Sequence, residues 1–322
     1  MAGIYTIAKK ELTDIFSEKK FLLIFGTLLI VVLVSTFQGA ISYSQSQSQT
    51  GTFSNGPGGP GNTTRPTVIG TAQNLGNALN SMITNFSLVG GLLASVISFD
   101  TINGERQSGS MKTMLSYPIY RDKIIYGKFL GGLTVVTLVS LITFIAGLGV
   151  FIGFSGLALT VDTLLRLGVF FGVSLLYMAI FLAIGLLFSI VMPQPSTSLL
   201  ASIVVWLASI QLIPNIGYAV AQVFYPMRMI FRGDMPSFAS QPGFDAVRSV
   251  ISAFSPSTTY EQIVNSVLTS SRLQFSSGAV AIVSQGVGQS ILTSAPNLIY
   301  FAILLVALFA SAYVLFMRQE IR

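Results

Sequence analysis

Long apolar runs alternate with short polar ones along the chain, and the apolar runs are too long for buried core helices. Segments 21–41, 82–99, 129–153, 165–191, 198–224 and 297–317 each approach the roughly 20 apolar residues that a helix needs to cross a bilayer core. The second is the most diluted, by Asn85 and Ser87. The pattern predicts an all-α integral membrane protein with six transmembrane helices, forming one transmembrane domain over residues 1–322.

Composition agrees with the pattern. The chain is 52% hydrophobic and 9% charged, against about 25% charged in soluble domains. It has no cysteine and no histidine. That excludes disulfides, a thiolate metal site and a cysteine nucleophile, and removes the commonest general base. No catalytic residue, cofactor-binding residue or metal ligand is assigned. Met192, Met227 and Met229 are soft enough for Cu(I), but methionine in a membrane protein is read first as packing.

Lysine and arginine set the orientation. All seven lysines lie before the first span or between the second and third, and with Arg106, Arg121, Arg318 and Arg322 they place eleven of the 17 cations on one side. Both termini are therefore expected in the cytoplasm. The first apolar run reads as an uncleaved anchor. No Asp, Glu, Lys or Arg stands in the apolar centre of a span, which disfavours a self-powered ion-coupled carrier. Asp162 and Arg166, four apart at the outer mouth of the fourth span, are read as a local ion pair. Gln211 and Asn215, with Gln222 and near Pro214, either bond between helices around a kink or line a pathway.

The loops divide by composition. Residues 42–81 open on a Gln/Ser/Gly/Pro tract and are read as a flexible outer loop, with an Asn62-Thr63-Thr64 sequon whose use the sequence leaves open. Segment 225–296 is larger. Thr258 and Glu261 are read as a capping box after Pro256, and Ile263, Val264, Val267 and Leu268 share one face. An amphipathic helix on the outer membrane surface or on the span tops is expected. Glycine pairs at 127/131, 149/153 and 168/172 have the spacing of close helix contacts.

Two elements are expected in the cytoplasm. Residues 3–20 place Ile4, Ile7, Ala8, Leu12, Ile15 and Phe16 on one helical face, with Lys9, Lys10 and Glu11 at the membrane interface. Residues 100–128 hold eight of the chain's charged residues. Gly104 and Gly109 echo a phosphate-binding loop, but Ser110-Met111 stands where that loop needs Lys and Ser/Thr. Nucleotide binding by this chain is excluded on that ground. A short helix over 104–116 remains, with Met111, Met114 and Leu115 as its apolar face, suited to a groove on a partner.

The residues here resemble a known family. Asp100-x4-Glu105-Arg106-x2-Gly109-Ser110-Met111-x3-Leu115-Ser116-x-Pro118-Ile119-x-Arg121-x6-Lys128 is similar to the cytoplasmic signature of ABC-2 type transporter permeases. Ser110-Met111 departs from the usual Thr-Leu. The branch resembled is that of nitrous-oxide-reductase-cluster permeases and of sodium or drug exporter permeases. The resemblance implies a permease pair working with two ATP-binding subunits, which would hold ATP and magnesium. It implies that 104–116 is a coupling helix, with Glu105, Arg106, Gly109, Ser110, Met111 and Leu115 meeting the ATPase. It implies that 3–20 is a connector helix, and that the protein sits in a prokaryotic plasma membrane. Membrane lipid is an expected partner and nucleic acid is not. The competing reading is a non-transport scaffold or sensor docking a cytoplasmic partner. The substrate is not readable, nor whether the permease pair is homo- or heterodimeric.

Overall fold

The computed structural model describes residues 7, 10, 12–15, 19–49, 80, 82–109, 120–155, 160–226, 229–232, 235–238, 242–268, 271–276, 279–284 and 286–318. Among the described residues six helices are long and apolar enough to cross a membrane: Phe21–Ser42, Met82–Gln107, Asp122–Ser155, Val161–Val191, Pro195–Phe224 and Val287–Arg318. They correspond one to one with the six apolar segments of the sequence, so the chain is a multi-pass membrane protein.

Span one lies in helix α1 (Lys19–Gln49), which continues seven residues past Ser42 into the tract expected to be loop. Gln is a good helix former, and Ser42 and Ser44 donate back to Gln38 O and Ile41 O instead of breaking the turn. Span two combines a π-turn (Phe86–Gly90), α2 (Gly91–Ser98) and the short α3 (Asn103–Gln107). Span three is α4 (Arg121–Ser155) and span four α5 (Val161–Val191). Span five joins α6 (Pro195–Leu207) and α7 (Ile213–Phe224) through a second π-turn, Ala208–Leu212.

Between spans five and six lie two two-stranded antiparallel sheets and two helices. The strands are β1 (Met229–Arg232) with β2 (Met235–Phe238), and β3 (Ser271–Ser276) with β4 (Ala279–Ser284). The terminal pairs Arg232↔Met235 and Ser276↔Ala279 leave two residues between the paired strands, Gly-Asp and Ser-Gly in the sequence. Such dipeptides are hairpin signals, so these strands were available to sequence reasoning, which did not name them. The helices are α8 (Pro242–Ser252) and α9 (Pro256–Leu268), and span six is α10 (Val287–Arg318).

Span four is the hub. Of its apolar stretch 78% is buried, against 17% for span five and 11% for span six. Its all-round apolar sequence suits a helix with neighbours on every side, and α2, α4, α6, α9 and α10 all pack on it. The close crossing with span two is made by glycine. A Cβ at Gly91 would lie 2.9 Å from the Tyr177 hydroxyl, and one at Gly185 would lie 3.0 Å from Ser95 O and collide with Ser98. The four-spaced pairs Gly149/Gly153 and Gly168/Gly172 instead face open space within the chain. Spacing alone does not say which glycine meets a neighbouring helix; Gly185 meets the Ser95 backbone, and adjacent Gly90-Gly91 meets side chains of spans four and five, without it.

Candidate functional site: two polar hubs and an uncovered face

The two ends of the bundle are held by different chemistry. On the side holding Lys10, Lys123 and Arg318, here the basic side, Glu105 bridges two cations. Its carboxylate lies 3.0 Å from Lys128 Nζ and 3.4 Å from Lys10 Nζ. The side chain of Lys128 is only 1% exposed, and it also donates to Thr101 O at 2.8 Å. At 1.5 Å per residue, Lys128 lies roughly 15 Å from the midpoint of span three, at the edge of a ~30 Å hydrocarbon core. An ammonium there requires a counter-charge. Span two breaks between α2 and α3 at this level, and its loose backbone is satisfied by span four: Ser189 Oγ accepts from Ile102 N and Asn103 N at 2.9 and 3.2 Å.

Ile7 joins a buried cluster with Ile102, Ile124, Ile125, Leu186 and Phe316, and Leu12 and Ile15 are partly buried against the main core. Of the apolar face expected of the N-terminal helix, Ile7, Leu12 and Ile15 therefore pack on the bundle, while Ile4, Ala8 and Phe16 lie outside the described residues. Lys10, on its polar side, reaches Glu105.

The short helix expected over 104–116 is interrupted. Gly109 has φ 72°, a left-handed conformation that ends α3 just past its C-cap Ser108. Gly109→Ala is expected to cost about 1–2 kcal/mol, since L-residues resist that region, and Gly109→Asn less; thermal unfolding of the two variants in detergent checks it. Ser110, Met111 and Leu115, like Lys9 and Glu11, lie outside the described residues.

The far side is held mostly by neutral hydroxyls. Helices α8 and α9 form a re-entrant pair: α8 packs along α7, the chain reverses at 253–255, and α9 returns against span four. Ser257, at the deep end of α9, meets Tyr177 Oη at 3.0 Å and Ser209 Oγ at 2.8 Å. Both partners lie near the midpoints of their spans. The α9 helix is thus not a surface helix. Its apolar face is buried as expected, with Tyr260, Ile263, Val264 and Val267 at 0% exposure, but among the spans. The cap also differs from the expected Thr258/Glu261 box. Ser255 Oγ accepts from Thr258 N at 3.1 Å, and Pro256 opens the first turn, where its missing N–H costs nothing.

At the other end of α9, Arg166 pairs with Asp162 at 2.7 Å as expected and also donates to Val267 O, which spacing could not reveal. It neutralises a last-turn carbonyl of α9 with a buried cation.

Span five carries the uncovered face. Gln211 and Asn215, one turn apart and exposed, line a cleft of about 620 Å³ with Val204, Leu207, Ala208 and Ala219. The two residues that the sequence offered for a pathway therefore share one exposed face of span five. Sequence reasoning missed Tyr177, Ser209, Ser257 and Trp206; the sole tryptophan, whose buried N–H needs an acceptor, was the available signal. No cluster of three or more metal-capable acidic groups occurs among the described residues.

Comparison with known proteins fits this architecture. The chain is 27% identical over 193 residues to a probable ABC transporter permease protein NosY of Pseudomonas aeruginosa, the match covering 58% of each chain. It is 26% identical over 144 residues to the probable ABC transporter permease protein NosY of Stutzerimonas stutzeri, covering 45% of this chain and 44% of that one. The chain thus spans about half the length of the curated relatives it matches. Residues 5–321 match the family described as ABC-2 family transporter protein, and the chain belongs to that family.

Proposed function

We propose that this transporter subunit forms the membrane pathway of an ATP-driven exporter, with separate ATP-binding subunits supplying ATP and magnesium chemistry and a second permease copy completing the pathway. The reading places it in a prokaryotic plasma membrane with both termini cytoplasmic, so the basic side faces the ATPase. The carrying observation is the Lys10–Glu105–Lys128 bridge. It ties the N-terminal helix and span three to the segment that resembles a coupling region, so a push there is delivered to two elements at once.

Within this reading Glu105 is the strut behind the contact surface, and Arg106 with residues 109–115 forms the contact. Gln211 and Asn215 belong to the pathway. Carboxamides facing lipid near mid-membrane cost several kcal/mol, a cost that a hydrated route or a facing second copy removes.

The test is co-purification with a co-expressed ATP-binding subunit, then ATP hydrolysis by the reconstituted pair. Arg106→Glu replaces a charge-assisted contact worth about 1.5–3 kcal/mol, so permease-stimulated hydrolysis at limiting subunit is expected to fall tenfold or more. Hydrolysis unchanged in that variant removes Arg106 from the contact. Failure to bind any ATP-binding subunit favours a scaffold.

A further inference from the structure

The spans carry no acidic residue in their apolar centres, but α9 brings one to that depth. Glu261 stands one turn outward of Ser257 on α9, about 6 Å along the helix axis. Ser257 touches Tyr177 and Ser209, both near the midpoints of their spans. Glu261 therefore lies well inside a hydrocarbon core about 30 Å thick. A carboxylate at such a depth is costly, and is found where it meets a cation or lines a route for one.

The chain itself does not supply that cation. Among the described residues Glu261 forms no ion pair; Arg248, one turn outward of the deep end of α8, is exposed and does not pair with it. Nor does Glu261 cap its helix, because the Thr258 N–H that a capping box would offer it donates to Ser255 Oγ. One polar group does face it. Ser87 Oγ, on the π-turn of span two, lies beside the carboxylate and meets no partner with hydrogen-bond geometry, although Ser87 is only 2% exposed. Nearby serines on span two bond back to their own helix, Ser95 to Gly91 O and Ser98 to Ala94 O. Glu261 is partly exposed, and Gln262 and Asn265 beside it are exposed, so the carboxylate can be reached from outside the chain.

We infer that Glu261, with Ser87, binds the charged group of a lipophilic organic cation. The inference rests on the transport reading and deepens it by naming a class of cargo. One carboxylate balances one positive charge, and no cluster of three or more metal-capable acidic groups occurs among the described residues, which argues against a multivalent metal ion. A small inorganic ion gives up its water only to several oxygen ligands, and here two side chains would have to supply them. A bulky organic cation holds its water weakly. A single counter-charge in apolar surroundings suits it, because low dielectric strengthens the attraction.

The test uses the purified chain alone in detergent, with tetraphenylphosphonium as the probe and tetraphenylborate as an anion of the same shape. Dicyclohexylcarbodiimide, which modifies carboxyls in apolar surroundings, is expected to label Glu261, as read by peptide mass spectrometry. Tetraphenylphosphonium should slow that labelling severalfold, and neither tetraphenylborate nor an equal concentration of sodium should. Probe affinity should fall about tenfold or more in Glu261→Gln, and less in Ser87→Ala. Glu261→Gln should melt no earlier than the parent, since it removes an unpaired charge from apolar surroundings. Unlabelled Glu261, or equal protection by the anion or by sodium, overturns the organic-cation site. Early melting of Glu261→Gln gives the carboxylate a structural partner and overturns it as well. The transport reading is tested separately. With the ATP-binding subunit added, the probe should raise hydrolysis severalfold in the parent and not in Glu261→Gln. Probe binding by a chain that recruits no ATP-binding subunit keeps the site and sinks the transport reading. An active complex that does not bind the probe does the reverse.

Discussion

Glu105→Gln is expected to destabilise the protein by about 3–5 kcal/mol, the usual cost of breaking a buried ion pair by removing one partner. The substitution leaves shape almost unchanged and takes a counter-charge from Lys128, whose side chain is 1% exposed. The bond to Lys10 matters much less, because Lys10 is 52% exposed and solvent already serves it. The pair should therefore behave asymmetrically. Lys10→Gln is expected to stay within about 1 kcal/mol of the parent, while Glu105→Gln melts early and aggregates in detergent. Glu105→Leu with Lys128→Met removes both charges and should recover most of the loss. Thermal unfolding with size-exclusion monitoring reads all three. A Glu105→Gln protein as stable as the parent would mean that Lys128 re-pairs and that the strut is dispensable. It follows that reversing the 105–106 charges together would confound coupling with folding, and Arg106 is the cleaner probe.

The second large effect is at the opposite end of the bundle. Arg166→Met is expected to cost about 1.5–3 kcal/mol, the value of a hydrogen bond from a charged group to a buried carbonyl. Asp162→Asn should cost less than about 1 kcal/mol, since that carboxylate is 53% exposed. The loss is local. Hydrogen exchange should rise in α9 around Val267 and leave span four protected. If both variants have the same effect, the ion pair rather than the carbonyl bond holds α9.

Much of this was legible in the chain. Hydropathy located all six spans because a bilayer imposes one length on every crossing. Four-residue spacing found the Asp162–Arg166 pair, and periodicity found the buried face of α9. Periodicity says which face is buried but not against what, so α9 is expected on the membrane surface or the span tops although Ser255 and Ser257 find partners near mid-membrane. Lys128 was read as an orientation charge, because nothing local distinguishes a solvated lysine from one that fills a buried site. The π-turns have no compositional signature. Residues 86–90 and 208–212 read like the helix around them, and what distinguishes them is that the carbonyls of Ser87, Leu88 and Ser209 accept from Tyr177, Trp206 and Ser255.

Ser189 has a consequence for synthesis. It lies on span four, yet it satisfies Ile102 N and Asn103 N where span two breaks. Until span four enters the membrane, the emerging chain carries two backbone donors at that break without their final acceptor. Span two thus completes its shape out of chain order, after its successors. A ribosome-stalled chain ending before residue 189 should hold that break open to solvent or to a chaperone.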